Sequence, residues 1–488
     1  MELANYAYLG LTKSLCPSCM KLVDAKIISR NSRVYFLKEC VDCGPREDFV
    51  CSDVRYYDRL QYSVPGKIPQ QRFAPVKDGC PYDCGLCEKH EQHTCVALVE
   101  LTDSCNLSCP MCFASSLPGN QHRSLEEIQR AIDRIVEAEG QPEVVQLSGG
   151  EPTIHPDFME VVRYAAKQPI DYLMVNTNGL RLAKDRELLQ QLSEFRERLE
   201  IFLQFDGFDD QHYQALRGEA LLDQKLRAVE LLGEYNLNIT LAVTLQGGVN
   251  EDQISPIVEF AKQNRHITAI NFQPATYSGR FTLPEDLEKR VTFPDVIKSI
   301  AQGSKGEMCE QDFMPLPCAH PNCHSLTVAY RHAEQLIPIS RFFDVESNYD
   351  LLANGIAFTR KKSRQLITQY LSRLSRTGCA AECEDAEAIA SDTKPVDANF
   401  QHIADEFYAK AMKQELGARD LLRITITSFL DVFNFDLRRL MKCCTHHVLP
   451  SGHIIPFCAY NVLYREGHVA LPELKVPIRV NDEESAVD

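Results

Sequence analysis

The chain has 488 residues, 52 basic and 68 acidic, for a formal charge of −16. That balance argues against nonspecific binding to nucleic acid or anionic membrane, which calls for basic patches, while leaving room for a local basic groove. A composition that is 44% apolar and 25% charged is that of a globular protein with a sizeable core, and the length suggests two to four units at roughly 100–200 residues each.

MELANYAYLGLTKSLCPSC carries no secretory apolar region, and no run of 18 apolar residues occurs, so a soluble cytoplasmic protein is expected. Twenty cysteines in a reducing compartment point to metal or cluster ligands rather than disulfides.

Residues 1–60 hold CPSC (Cys16, Cys19) and CVDC (Cys40, Cys43), separated by the strand-like VYFLK. Four thiolates on two such turns bind one zinc or one iron tetrahedrally, and so small a ribbon folds around its metal. Residues 61–95 hold GCPYDCGLC, a C-x3-C-x2-C frame at Cys80, Cys84 and Cys87, followed by Cys95. Four thiolates close a [4Fe–4S] cluster fully, so this segment reads as an auxiliary site for electron relay or structure. Cys51, His90 and His93 are rival ligands.

From residue 96 to 280 strand-like and helix-like runs alternate. The strands are CVALVELT, EVVQLS, DYLMVN, LEIFLQFD, NITLAVT and HITAINFQ. Ser124 with Glu127 makes a capping box before an amphipathic run. Six βα units predict a parallel sheet, either an open, partial (β/α)6 barrel or a doubly wound sheet, with functional loops at the carboxyl ends of the strands.

The first of those loops repeats the frame at Cys105, Cys109 and Cys112, 25 residues after Cys80, Cys84 and Cys87. Three thiolates leave one iron of a [4Fe–4S] cluster open, and an open position marks a catalytic centre. The second strand ends LSGGEP. There Gly149 and Gly150 let backbone approach a ligand, and Glu151 can accept from an ammonium. TNG (Asn178) and QFDG (Gln204, Asp206) end the next two strands and are expected at the same rim.

Residues 281–470 form a less regular cysteine-containing region with Cys309, Cys318, Cys323, Cys379, Cys383, Cys443, Cys444 and Cys458. Residues 350–415 look helical. Residues 471–488 read as a mobile tail.

CNLSCPMCF followed by SGGEP resembles the radical S-adenosylmethionine (SAM) superfamily. The resemblance implies a [4Fe–4S] cluster on Cys105, Cys109 and Cys112 whose open iron chelates SAM. It also implies that Gly149, Gly150 and Glu151 receive the SAM amino group, and that Phe113 lies near the adenine. A low-potential donor, flavodoxin or ferredoxin, would supply the electron, and the resulting 5'-deoxyadenosyl radical would attack an unactivated C–H bond. More widely, GCPYDCGLC, HEQHTC, NFQPATYSGR and IIPFCAYNVLYR resemble the branch containing tetraether lipid synthases and class D radical methylases of pterins. That branch implies a mononuclear site in the N-terminal ribbon and a further cluster on Cys318, Cys323, Cys444 and Cys458, with Cys443 as a rival for Cys444.

The expected outcome is sp3 C–C coupling of lipid hydrocarbon chains, with peripheral membrane contact. The enzymatic alternative is C-methylation of a pterin or another small molecule. An iron–sulfur electron carrier without radical chemistry would need neither SGGEP nor an open three-cysteine loop. A nucleic-acid module is disfavoured by the charge.

Overall fold

The computed structural model describes residues 5–356, 360–380, 398–474 and 478–479. The N-terminal unit is a four-stranded antiparallel meander, β1 (Ala7–Leu15), β2 (Leu22–Arg30), β3 (Arg33–Cys40) and β4 (Gly44–Cys51). VYFLK lies inside β3, and the CPSC and CVDC turns close the β1–β2 and β3–β4 connections. Lys38 of β3 is buried. Its Nζ donates to the carbonyls of Leu15 (3.1 Å), Val432 (3.0 Å) and Phe433 (2.8 Å) and pairs with buried Asp48 at 2.9 Å. A buried ammonium persists where it is paired and hydrogen-bonded, and here it holds the ribbon against the loop at 428–436.

The six expected strands are present as β5 (Val96–Thr102), β6 (Val144–Gly149), β7 (Tyr172–Thr177), β8 (Leu199–Gln204), β9 (Asn238–Leu245) and β10 (Ile267–Pro274). They are parallel neighbours in chain order. Sequential order without a reversal is barrel topology, so the doubly wound alternative falls away. The helix α1 (Leu125–Glu139) buries Ile128, Ala131, Ile132 and Ile135 against the sheet, and its capping box forms as expected.

The sheet is wider than six strands. Further strands are β11 (Met314–Pro315), β12 (His324–His332), β13 (Gln335–Pro338), β14 (Leu421–Thr427), β15 (Thr445–Val448) and β16 (Ile454–Pro456). β14 adds parallel to β10, and β15 adds parallel to β5. β12 and β16 then pair antiparallel to them, so the C-terminal region extends both edges of the barrel. Beside it, α2 (Arg360–Ala380) and α3 (Ala398–Met412) pack Ile367 and Phe407 around Tyr330. Cys383 and most of the expected tail lie outside the described residues.

Candidate active site at the carboxyl ends of the strands

Cys105, Cys109 and Cys112 lie on the loop after β5, as expected. The loop is held by backbone. Gly150 N donates to the Thr102 carbonyl at 2.8 Å, and Glu151 N donates to the Ser104 carbonyl at 3.0 Å. A Cβ at Gly149 would stand 2.3 Å from the Thr102 oxygen, and one at Gly150 would stand 2.2 Å from the Ser104 oxygen. The two glycines therefore let the end of β6 lie directly against the cysteine loop. The loop is clamped from the other side. Cys112 and Arg280 exchange backbone hydrogen bonds (2.8 and 3.0 Å), and Arg280 also donates from Nε to the Cys109 carbonyl (2.6 Å) and from Nη2 to the Ser116 carbonyl (2.9 Å). Burial pushes the Cys105 thiol up to about 12 and raises Cys109 as well. Phe113 packs edge-on against Phe457 at 5.2 Å.

Glu151 is held by protein donors behind the cavity wall. Its carboxylate is fully buried, and it accepts from Thr153 N (3.0 Å), Thr153 Oγ1 (2.5 Å), Thr177 Oγ1 (2.8 Å) and Asn178 N (2.7 Å). Burial raises its pKa against those lowering bonds. It braces the ends of β6 and β7 and does not line the cavity, which Gly149, Gly150 and Asn178 do.

Asp206 likewise turns away from the rim. It is fully buried in a paired contact with Arg217 (2.7 and 2.8 Å) and accepts from Thr244 N at 3.1 Å. Gln204 donates to Asp206 and accepts from Lys225 Nζ at 2.7 Å. Arg217 faces the cavity in place of Asp206. Lys225, whose pKa burial lowers to about 7, also donates to the Asn178 carbonyl at 2.5 Å. Neither cation was singled out from sequence, because both lie on helices whose inward face depends on packing.

The other cysteines group differently from expectation. Four sulfurs around one zinc or iron at about 2.3 Å lie roughly 3.8 Å apart. Cys16, Cys19, Cys40 and Cys43 meet that spacing as a set, with Cys19 and Cys40 at 3.6 Å. Cys95 does not complete the Cys80, Cys84 and Cys87 frame. It joins Cys318 and Cys444 in a buried trio within 4.8 Å, with Cys318 and Cys444 at 3.6 Å. The cause is pairing between distant segments, since Cys95 N and Val96 N both donate to the Cys444 carbonyl.

Cys443 lies between the two groups: burial raises its thiol, with Cys458, Cys444 and Cys323 adding to the effect, and it acts on Cys84 of the first frame. The Cys84 thiol is pushed up by its contact with Cys80 and by burial, with Cys87 and Cys443 adding to the effect. His90, in turn, contacts the Cys443 carbonyl at 2.9 Å. Cys323 and Cys458 lie outside the trio. The Cys323 sulfur accepts from Arg439 Nε at 3.4 Å, and the Cys458 sulfur accepts from Leu430 N at 3.3 Å. Cys95 thus adds a thiolate beside Cys318 and Cys444 that was expected in the first frame, and Cys323 feels Cys444 electrostatically as Cys458 feels Cys323. His93 sits beside Cys95 (3.5 Å) and turns Nδ1 to Glu139 (3.2 Å), which suits an outer-shell histidine. Cys51 is buried in the core with its thiol toward the Asp53 carbonyl, away from either frame.

A cavity of about 850 Å³ runs from Cys105, Cys109 and Cys112 at the carboxyl ends of the strands to Arg196 and Asn236 at their amino ends. Its wall includes Gln146, Asn176, Asn271, Gln273 and His324, interspersed with apolar Met174, Phe202 and Leu326. Among the described residues no helix is long and apolar enough to cross a membrane.

A family model of the radical SAM superfamily matches residues 99–261, and one described as the HMPTM N-terminal zinc ribbon domain matches residues 8–52. The chain is 32% identical over 486 residues to 7,8-dihydro-6-hydroxymethylpterin dimethyltransferase of Methanocaldococcus jannaschii, covering 93% of this chain and 94% of the relative. It is 30% identical over 199 residues to a probable GTP 3',8-cyclase of Pyrococcus abyssi, covering 40% of this chain and 60% of the relative. Among solved structures, SuiB of Streptococcus suis bound to S-adenosylmethionine aligns with a TM-score of 0.33 at 17% identity, over 40% of this chain and 44% of that one. The near-full-length match joins the partial barrel, the three-cysteine loop and the ribbon in one architecture, and the chain belongs to the radical SAM superfamily, in the family of the M. jannaschii pterin dimethyltransferase.

Proposed function

We propose that this protein is a radical SAM methyltransferase acting on a reduced pterin. The observation that carries this reading is the 32% identity extending over 94% of a pterin dimethyltransferase. It favours the methylation alternative over lipid coupling, which had rested on shared branch motifs. The cavity wall supports the same choice. An alkyl chain gains about 0.8 kcal/mol per buried CH2 from an apolar tunnel, but each wall amide it leaves unpaired costs about 1–3 kcal/mol. Asn176 and Asn271 are partly satisfied by Ser148 and Thr427, but the Gln146 and Gln273 amides have no partner among the described residues and suit a polar heterocycle.

Cys105, Cys109 and Cys112 would hold the SAM-binding cluster. Three thiolates on a loop that backbone and Arg280 hold rigid, opening on the cavity, fit a [4Fe–4S] group with one free iron. When bound, that group supplies the electron that cleaves SAM to methionine and a 5'-deoxyadenosyl radical, drawn from a low-potential donor such as flavodoxin or ferredoxin. The chain's own contribution is positional. Gly149 and Gly150 line the cavity beside the cysteine loop, where the SAM ammonium would lie, and Phe113 offers an apolar face there. Cys16, Cys19, Cys40 and Cys43 would hold one structural ion, with zinc suggested by the ribbon family.

The test is expression in a host lacking the gene, with pterins and total lipids compared by mass spectrometry. Methylated pterin beside unchanged lipids is expected. New lipids joining two chains, with pterins unchanged, would overturn the reading. Purified protein with reductant and SAM should form 5'-deoxyadenosine, and the triple Cys105→Ala, Cys109→Ala, Cys112→Ala variant should form none while retaining metal elsewhere.

A further inference from the structure

His324 opens β12 and faces Thr427 at the end of β14. Its Nδ1 lies 3.1 Å from Thr427 Oγ1, and Thr427 Oγ1 donates to Asn271 Oδ1 at 3.0 Å. A hydroxyl has one proton. With that proton given to Asn271, the hydroxyl can only accept from the imidazole, so Nδ1 carries the hydrogen. In the neutral ring Nε2 is then a bare lone pair. Among the described residues Nε2 has no hydrogen-bond partner, and His324 lines the cavity beside Asn271 and Thr427. The side-chain amides of Gln146 and Gln273 line the same cavity, also without a protein partner among the described residues.

We propose that His324, with the neighbouring Asn271, forms the substrate-selecting edge of the cavity, and that Gln273 and Gln146 add amides to the wall of the same cavity. This edge takes a flat, neutral heterobicycle with alternating N–H donors and lone-pair acceptors, and His324 Nε2 accepts one of its N–H groups. The inference rests on the pterin reading and deepens it by assigning residues. A pterin presents N–H donors and ring acceptors along one rim. A primary amide answers both, and the relay through Thr427 makes the histidine an acceptor of fixed direction. An alkyl chain would leave His324 Nε2 and the amides of Gln146 and Gln273 unpaired. His324 is a specificity residue in this assignment, and Thr427 is the residue that positions it.

The test is equilibrium dialysis of the anaerobically reconstituted full chain against 7,8-dihydro-6-hydroxymethylpterin, with guanine as a second flat bicycle. SAM affinity, metal content and melting temperature are measured alongside. His324→Phe should weaken bicycle binding about tenfold to hundredfold, the loss of one buried hydrogen bond, with SAM affinity and metal content unchanged. His324→Gln should restore most of the binding, since its Oε1 can accept in the same direction. Thr427→Val, which frees the tautomer, should weaken binding without altering metal content.

Wild-type binding by His324→Phe overturns the proposal. Loss of metal in both His324 variants with bicycle binding intact overturns it as well, and makes His324 a ligand of the neighbouring cysteine trio. If the wild-type chain ignores the pterin but binds guanine with the same variant pattern, the edge stands and the pterin reading falls. A wild-type chain that binds neither bicycle overturns the edge.

Discussion

The Arg280 guanidinium donates from Nε to the Cys109 carbonyl at 2.6 Å, tying the segment after the sixth barrel strand to the cysteine loop after the first. The same side chain reaches the Ser116 carbonyl, and a Cβ on neighbouring Gly279 would stand 2.4 Å from the Phe113 oxygen. The YSGR stretch thus acts as a clasp across the loop that would hold the cluster.

Arg280→Ala removes two charge-assisted hydrogen bonds of about 1.5–3 kcal/mol each. The loop should then release its iron to a chelator faster, and 5'-deoxyadenosine formation should fall at least about tenfold. Metal in the N-terminal ribbon should be unaffected. Unchanged iron release in this variant would mean that the backbone pairing of Cys112 with Arg280 holds the loop unaided.

Glu151→Ala strips the acceptor from four buried donors. Unsatisfied buried donors cost about 1–3 kcal/mol each before relaxation, so the variant should melt several degrees lower. SAM affinity should fall about tenfold to hundredfold as the ends of β6 and β7 separate. A normal melting temperature with weak SAM binding would instead return Glu151 to direct contact with the ammonium.

Cys95→Ser should deplete metal at the Cys318 and Cys444 group and leave the Cys80, Cys84 and Cys87 frame loaded. Cys443→Ser should show the reverse. Metal analysis with iron–sulfur absorption on the two variants separates them. Identical losses would indicate one shared centre.

The ribbon closes a tetrahedral thiolate set that leaves no position for substrate. Cys19→Ser with Cys43→Ser should therefore lower the melting temperature and the yield. Lys38→Met should do the same more mildly, since it loosens the ribbon from the loop at 428–436. A ribbon variant that kept its full melting temperature but lost turnover would point to electron transfer.

Much of the core was legible because the information is local. Six β-branched runs with turn signals between them give six parallel strands, and a C-x3-C-x2-C loop carries its three ligands within eight residues. SGGEP reports a backbone contact that no side chain would fit, as the 2.2 Å approach at Gly150 shows. Ser124 and Glu127 make their capping box within a single turn.

Local pattern, then, determined the barrel, the ribbon, the open cysteine frame and the superfamily. Tertiary structure decided what depends on segments far apart in the chain. Cys95 parts from the frame just before it because β15, some 350 residues on, pairs with β5 and brings Cys444 with it. Asp206 faces Arg217 rather than the rim, and Glu151 faces four protein donors, because the inward direction of a strand-end carboxylate is set by what packs against it. The amide-lined wall follows from the register of the parallel strands, which turns Gln146, Asn271 and Gln273 to the lumen. Spacing reports a site when one loop supplies all its ligands. Where several strands each supply one, the pairing that assembles them exists only in the folded chain.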